Sequence, residues 1–134
     1  MPTAEHALPT VLLVEDDPAA RRFYADALAA SGFRVREAAS GEQALRAAEA
    51  DGVTVIVADL GLPDFDGFEV CRQVKLRPEM RRVPVIAITG RAMALRDIEL
   101  AEQVGFHSVL IKPCPAETLV AAIEKALNGS HPGV

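Results

Sequence analysis

Residues 53–63 read Val-Thr-Val-Ile-Val-Ala-Asp-Leu-Gly-Leu-Pro, a run that is apolar but for Thr54, then an acid, then a loop built on Gly and Pro. A strand with one face in water alternates apolar with polar residues. This one does not alternate, which is the pattern of a parallel strand covered by helices on both faces. Asp59 therefore stands where an apolar strand gives way to a loop, and the rest of the chain can be read outward from it.

Upstream, Val11-Leu12-Leu13-Val14 is a second short apolar run, halted by Glu15, Asp16 and Asp17. Asp17-Pro18 has the form of a helix start, a capping acid before a first-turn proline. Ala20, Phe23, Tyr24, Ala27 and Leu28 then recur at helical spacing up to Gly32, a residue suited to ending a helix. The alternation continues with a weak strand at 33–37 and a helix at 41–50 behind the Ser40 cap, followed by the strand at 53–58. Downstream, a helix near 66–76 is stopped by Pro78. A strand at 83–89, a helix at 92–104, a strand at 108–111 running into Lys112-Pro113, and a helix at 116–127 complete the series. Five strand and helix units in regular order predict an α/β fold with an open, doubly wound parallel sheet. Residues 10–128 are expected to form this domain, with 1–9 and 129–134 as tails.

Bulk properties narrow the function. At 134 residues, 50% hydrophobic and 25% charged, the chain has the material for one core. Its net charge of −5 gives no footprint for a nucleic-acid backbone. Cys71, Cys114, His6, His107 and His131 are scattered, so neither a disulfide framework nor a zinc site is expected. The first residues lack the basic and apolar regions of an export signal, and no run approaches the roughly 20 apolar residues of a membrane span. A cytoplasmic location is the expectation.

In a doubly wound sheet the functional crevice lies beyond the carboxyl ends of the strands. Glu15 and Asp16 end the first strand, Asp59 the third, Thr89 the fourth and Lys112 the fifth. Carboxylates crowded into one crevice raise each other's pKa unless a cation neutralises them. Oxygen donors without His or Cys favour a hard cation, and Mg²⁺ in particular is held by one or two carboxylates with waters and phosphate oxygens. A carboxylate nucleophile, a metal clamp and an ammonium are the components of phosphoryl transfer. Asp17, Asp64 and Asp66 read as caps and turn formers instead.

By Val-Glu-Asp-Asp-Pro at 14–18, Asp-Leu-Gly-Leu-Pro-Asp-Phe-Asp-Gly at 59–67, Ile-Thr-Gly at 88–90 and Lys-Pro at 112–113, the chain resembles the response regulator receiver domains of two-component signalling, over residues 11–127. The resemblance implies a flavodoxin-like sheet of strand order 2-1-3-4-5. It implies Asp59 as phospho-acceptor, and Mg²⁺ held by Asp16, Asp59 and the backbone carbonyl of Gly61, with Glu15 acting through a water. Thr89 would hydrogen-bond a phosphoryl oxygen, and Lys112, before a cis peptide bond to Pro113, would pair with the phosphate charge. The implied partners are a sensor histidine kinase or histidine phosphotransfer protein, docking on the first helix near Arg21 and Arg22, and a downstream output protein or domain. Direct nucleic-acid or membrane contact is not implied, and a monomer or weak dimer is expected. The chain would be a stand-alone receiver or a fragment of a larger regulator or hybrid kinase.

Two departures from the family pattern stand out: Val109 occupies the place of the usual aromatic switch residue, and Cys114 that of a common aromatic after Lys-Pro. Other readings fit less well. A phosphohydrolase of the haloacid dehalogenase type needs a second Asp two residues after its nucleophile, and Gly61 stands there. A flavodoxin-type electron carrier needs a phosphate loop after the first strand, where Glu15-Asp16-Asp17 would repel FMN. A non-phosphorylated interaction module would require loss of a site residue, and none is lost.

Overall fold

The computed structural model describes residues 8–49, 52–62, 67–90 and 95–129. Along the chain run β1 (Thr10–Val14), α1 (Pro18–Ala30), β2 (Arg34–Ala38), α2 (Gly41–Ala48), β3 (Val53–Asp59), α3 (Gly67–Leu76), β4 (Val85–Thr89), α4 (Leu95–Val104), β5 (Ser108–Ile111) and α5 (Ala116–Leu127). The strands form one sheet in the order β2-β1-β3-β4-β5. All four neighbouring pairs are parallel. This is the doubly wound architecture and strand order expected above.

The largely apolar inner strands have a direct explanation in the packing. Val11, Leu13, Val55, Val57, Ile86 and Ile88 pack with α1 and α5 on one face. The intervening Leu12, Val14, Ile56, Ala58, Val85 and Ala87 pack with α2, α3 and α4 on the other. Successive residues of a strand point to opposite faces, so a strand with two covered faces leaves few positions for a polar residue; Thr54, exposed near the start of β3, donates its hydroxyl to the Thr10 carbonyl. Each fully buried Val, Leu or Ile stabilises the fold by about 1.5–3 kcal/mol.

Local chemistry sets the helix ends. Asp17 caps α1 by accepting from the Ala20 amide at 2.8 Å, and Pro18 supplies the first turn. Ser40 caps α2 through the Gln43 amide, while the Gln43 side chain reaches back to the Ala39 amide at 2.9 Å. Gly32, at φ +94°, turns the chain from α1 toward β2, a conformation that costs a side-chain-bearing residue most.

Some boundaries differ from expectation. β4 begins at Val85, two residues later than expected, because the Val83 amide closes a turn onto the Met80 carbonyl and Pro84 has no N–H to give to a ladder. β2 lies one residue later and α2 stops at Ala48. The expected helix starts at 66 and 92 lie outside the described residues, as do most of both expected tails. Among the described residues, no helix is long and apolar enough to cross a membrane.

Candidate functional site

A parallel sheet sends every strand's carboxyl end to the same edge, and the register decides what meets there. Val14 pairs with Ala58, so Glu15 and Asp16, leaving β1, come up beside Asp59 at the end of β3. Carboxylate oxygens of Glu15, Asp16 and Asp59 lie within 4.8 Å of one another. Thr89 pairs with Ile111 at the ends of β4 and β5, and the Lys112 amide continues the ladder by donating to the Thr89 carbonyl at 2.7 Å. The Lys112–Pro113 peptide bond is cis.

From the end of β5 the lysine side chain reaches across β4 to the acids. Its Nζ donates to Glu15 Oε1 at 2.7 Å and to Asp59 Oδ2 at 3.2 Å. Asp59 Oδ1 accepts from the Gly61 amide at 2.9 Å, so the aspartate is held at both oxygens. Glu15 is 2% exposed, and Thr89 is also buried. Burial raises the Glu15 pKa above the usual carboxylate value; the Lys112 hydrogen bond opposes this and the nearby charge of Asp59 reinforces it. Burial works against the Lys112 ammonium, yet the Glu15 hydrogen bond and the charges of Asp59 and Glu15 outweigh it, so its pKa is raised.

With all three acids ionised, three negative charges face the one positive charge of Lys112, leaving two negative charges uncompensated. The donors are oxygens only. Charge and donor type both fit a divalent hard cation.

The residues singled out at the strand ends, Glu15, Asp16, Asp59, Thr89 and Lys112, thus occupy one edge of the sheet, and Gly61 lies beside Asp59. Three further residues serve this edge in ways that the strand-end pattern does not show. Gly67, the first residue of α3, lies so close that a Cβ there would stand 2.6 Å from the Asp59 carbonyl oxygen. Its place at the close of the 59–67 motif was the available signal. Arg21 donates from Nη1 to the Glu15 carbonyl at 2.8 Å, and buried Tyr24 donates its hydroxyl to the Cys114 carbonyl at 3.2 Å. For Arg21 the sequence offers a solvated helix face or a share in a docking surface, and for Tyr24 a place in the apolar stripe, although a buried tyrosine hydroxyl normally finds a partner.

The family model of the response regulator receiver domain matches residues 11–124. The chain belongs to that family. Among curated relatives, this receiver domain is 35% identical over 121 residues to the transcriptional regulatory protein AfsQ1 of Streptomyces coelicolor, covering 90% of this chain and 52% of the relative. It is 32% identical over 119 residues to the polar-differentiation response regulator DivK of Brucella ovis, covering 89% of this chain and 96% of the relative. The receiver domain therefore spans about half the length of AfsQ1 but nearly all of DivK. The solved structure of the chemotaxis response regulator CheY4 of Vibrio cholerae superposes with a TM-score of 0.84 at 26% identity, covering 90% of this chain and 100% of that one. The domain is a component of two-component signalling, as this family is.

Proposed function

We propose that this receiver domain accepts a phosphoryl group on Asp59 in a Mg²⁺-dependent reaction and changes conformation to signal a partner. The observation that carries the reading is the Lys112 ammonium bonded to both Glu15 and Asp59, with Asp16 close by, at the carboxyl edge of the sheet.

A carboxylate oxygen of Asp59 would attack the phosphorus of a phosphohistidine or small acyl phosphate. The new O–P bond forms as the bond to the donor's nitrogen or oxygen breaks, and the leaving group departs with the electron pair. Catalysis of this kind is mostly positioning and charge compensation. Gly61 N–H and Lys112 Nζ hold the Asp59 carboxylate in place before the reaction. Lys112 can then follow the negative charge onto the phosphoryl oxygens, and Thr89 can donate its hydroxyl to one of them. Asp16 and Asp59, with the Gly61 carbonyl and Glu15 acting through a water, would hold Mg²⁺. When bound, the metal supplies charge neutralisation for the transferring phosphoryl group.

The proposed donor is a sensor histidine kinase or histidine phosphotransfer protein, and the proposed recipient of the signal is an output protein or domain. Nucleic acid and membrane are not proposed as direct contacts, and a monomer or weak dimer is the proposed assembly. Buried free thiols at Cys71 and Cys114 fit a reducing compartment, in keeping with action in the cytoplasm. The test is incubation with acetyl phosphate, with and without Mg²⁺, followed by intact mass. One phosphoryl increment is expected with Mg²⁺ and none in Asp59→Asn; an Asp59→Asn protein that gained a hydroxylamine-sensitive phosphoryl group would sink the assignment.

A further inference from the structure

Arg21 and Tyr24 stand one turn apart on α1, and each donates a hydrogen bond to the backbone of a different loop of the site. Arg21 Nη1 reaches the Glu15 carbonyl at 2.8 Å, while its Nε lies 3.3 Å from the Glu37 carboxylate at the far edge of the sheet. The Glu15 amide donates to the Ala38 carbonyl at 3.0 Å. The Glu15 backbone is thus held on both sides. A peptide group is planar, so fixing the Glu15 carbonyl also fixes the plane from which Asp16 departs. Tyr24 ties down the other loop, its hydroxyl meeting the carbonyl of Cys114, two residues beyond Lys112.

We infer that α1 is a two-point brace for the site, with Arg21 a positioning residue for the metal-binding acids and Tyr24 a positioning residue for the Lys112 loop. This rests on the proposed Mg²⁺-dependent phosphorylation. It also revises the place of the two arginines: Arg21 is committed to the protein's own backbone and to Glu37, whereas Arg22 is exposed on the helix.

The alternative for Arg21 is that it acts only as a positive charge near three acids, and the two accounts differ in sign. Removing a nearby cation by itself strengthens cation binding. Loss of a tether weakens it, commonly by about tenfold or more where a partner orients a metal ligand. Lysine in this position keeps the charge but lacks the planar fork that serves two acceptors at once.

The experiment is a Mg²⁺ titration followed by backbone amide shifts in the parent, Arg21→Ala, Arg21→Lys and Tyr24→Phe, with phosphoryl gain from acetyl phosphate at saturating Mg²⁺ measured alongside by intact mass. Both Arg21 variants should bind Mg²⁺ about tenfold more weakly. Tyr24→Phe should gain phosphate on the order of fivefold more slowly at saturating Mg²⁺, the worth of one lost hydrogen bond, with a smaller change in Mg²⁺ affinity. The brace is overturned if either Arg21 variant binds Mg²⁺ as tightly as the parent or more tightly, or if Tyr24→Phe reacts at the parent's rate. A parent that neither binds Mg²⁺ nor gains phosphate would overturn the underlying function as well, so the two failures are distinct.

Discussion

Lys112 Nζ lies 2.7 Å from Glu15 Oε1, joining residues 97 positions apart in the sequence across the ends of four adjacent strands. The ammonium is shared with Asp59 at 3.2 Å, so it holds together acids that would otherwise repel. Removing one partner of such a pair leaves a buried charge uncompensated. Lys112→Ala should therefore lower the unfolding free energy measured by urea titration in Mg²⁺-free buffer by about 1–3 kcal/mol, because the lysine is itself partly exposed, and Mg²⁺ should restore much of the loss. Equal destabilisation with and without Mg²⁺ would show that the lysine and the metal do not answer the same charge.

Gly67 bears on the site through space rather than charge. A Cβ there would meet the Asp59 carbonyl oxygen at 2.6 Å and Leu60 at 3.0 Å. Backbone cannot yield as a flexible side-chain tip can. Gly67→Ala should cost about 1–3 kcal/mol, as overpacking does, and slow phosphoryl gain on Asp59 as well. A variant with parental stability and parental phosphorylation would show that the contact relaxes freely.

Cys71 offers a pH-dependent test remote from the acids. The thiol is fully buried in the core beneath α3, and burial pushes its pKa up to about 11 from an ordinary 9.0, with Lys75 opposing slightly. Below pH 9 both folded and unfolded chains carry the protonated thiol and the shift has no effect. Above it the unfolded chain ionises first, so stability should fall progressively between about pH 9 and pH 11. The slope of unfolding free energy against pH in that window should be shallower in Cys71→Ala. Matching slopes, or rapid alkylation of the native parent at pH 8, would contradict the burial argument.

Thr89 is buried at the end of β4, while Val109 is half-buried on β5, its side chain packed against the α2–α3–α4 core. A ligand biases two states only through contacts that differ between them. The Thr89 hydroxyl can make such a contact with a phosphoryl oxygen; Val109 is short and stiff at χ1. Amide shifts induced by a phosphate mimic should vanish in Thr89→Ala and survive in Val109→Ala. Their loss in a folded Val109→Ala protein would place the relay at Val109 instead.

The sequence by itself determined the alternation of strands and helices and the residues at the strand ends. Unbroken apolar runs such as 55–58 and 11–14 require two covered faces, and caps such as Asp17 and Ser40 act within a few residues. Both signals are local and survive in a linear reading. The boundary of β4 was less legible, because the turn from Met80 to Val83 is made by hydrogen bonds rather than by a change in residue type. Only the tertiary structure decided that Lys112 is bonded to Glu15, that Gly67 presses on Asp59, and that Arg21 and Tyr24 each tie down a loop of the site. Those relationships depend on strand register, on the reach of a side chain across neighbouring strands, and on the face that α1 turns toward the sheet. Such distances arise when separate units pack together, and no spacing along the chain encodes them.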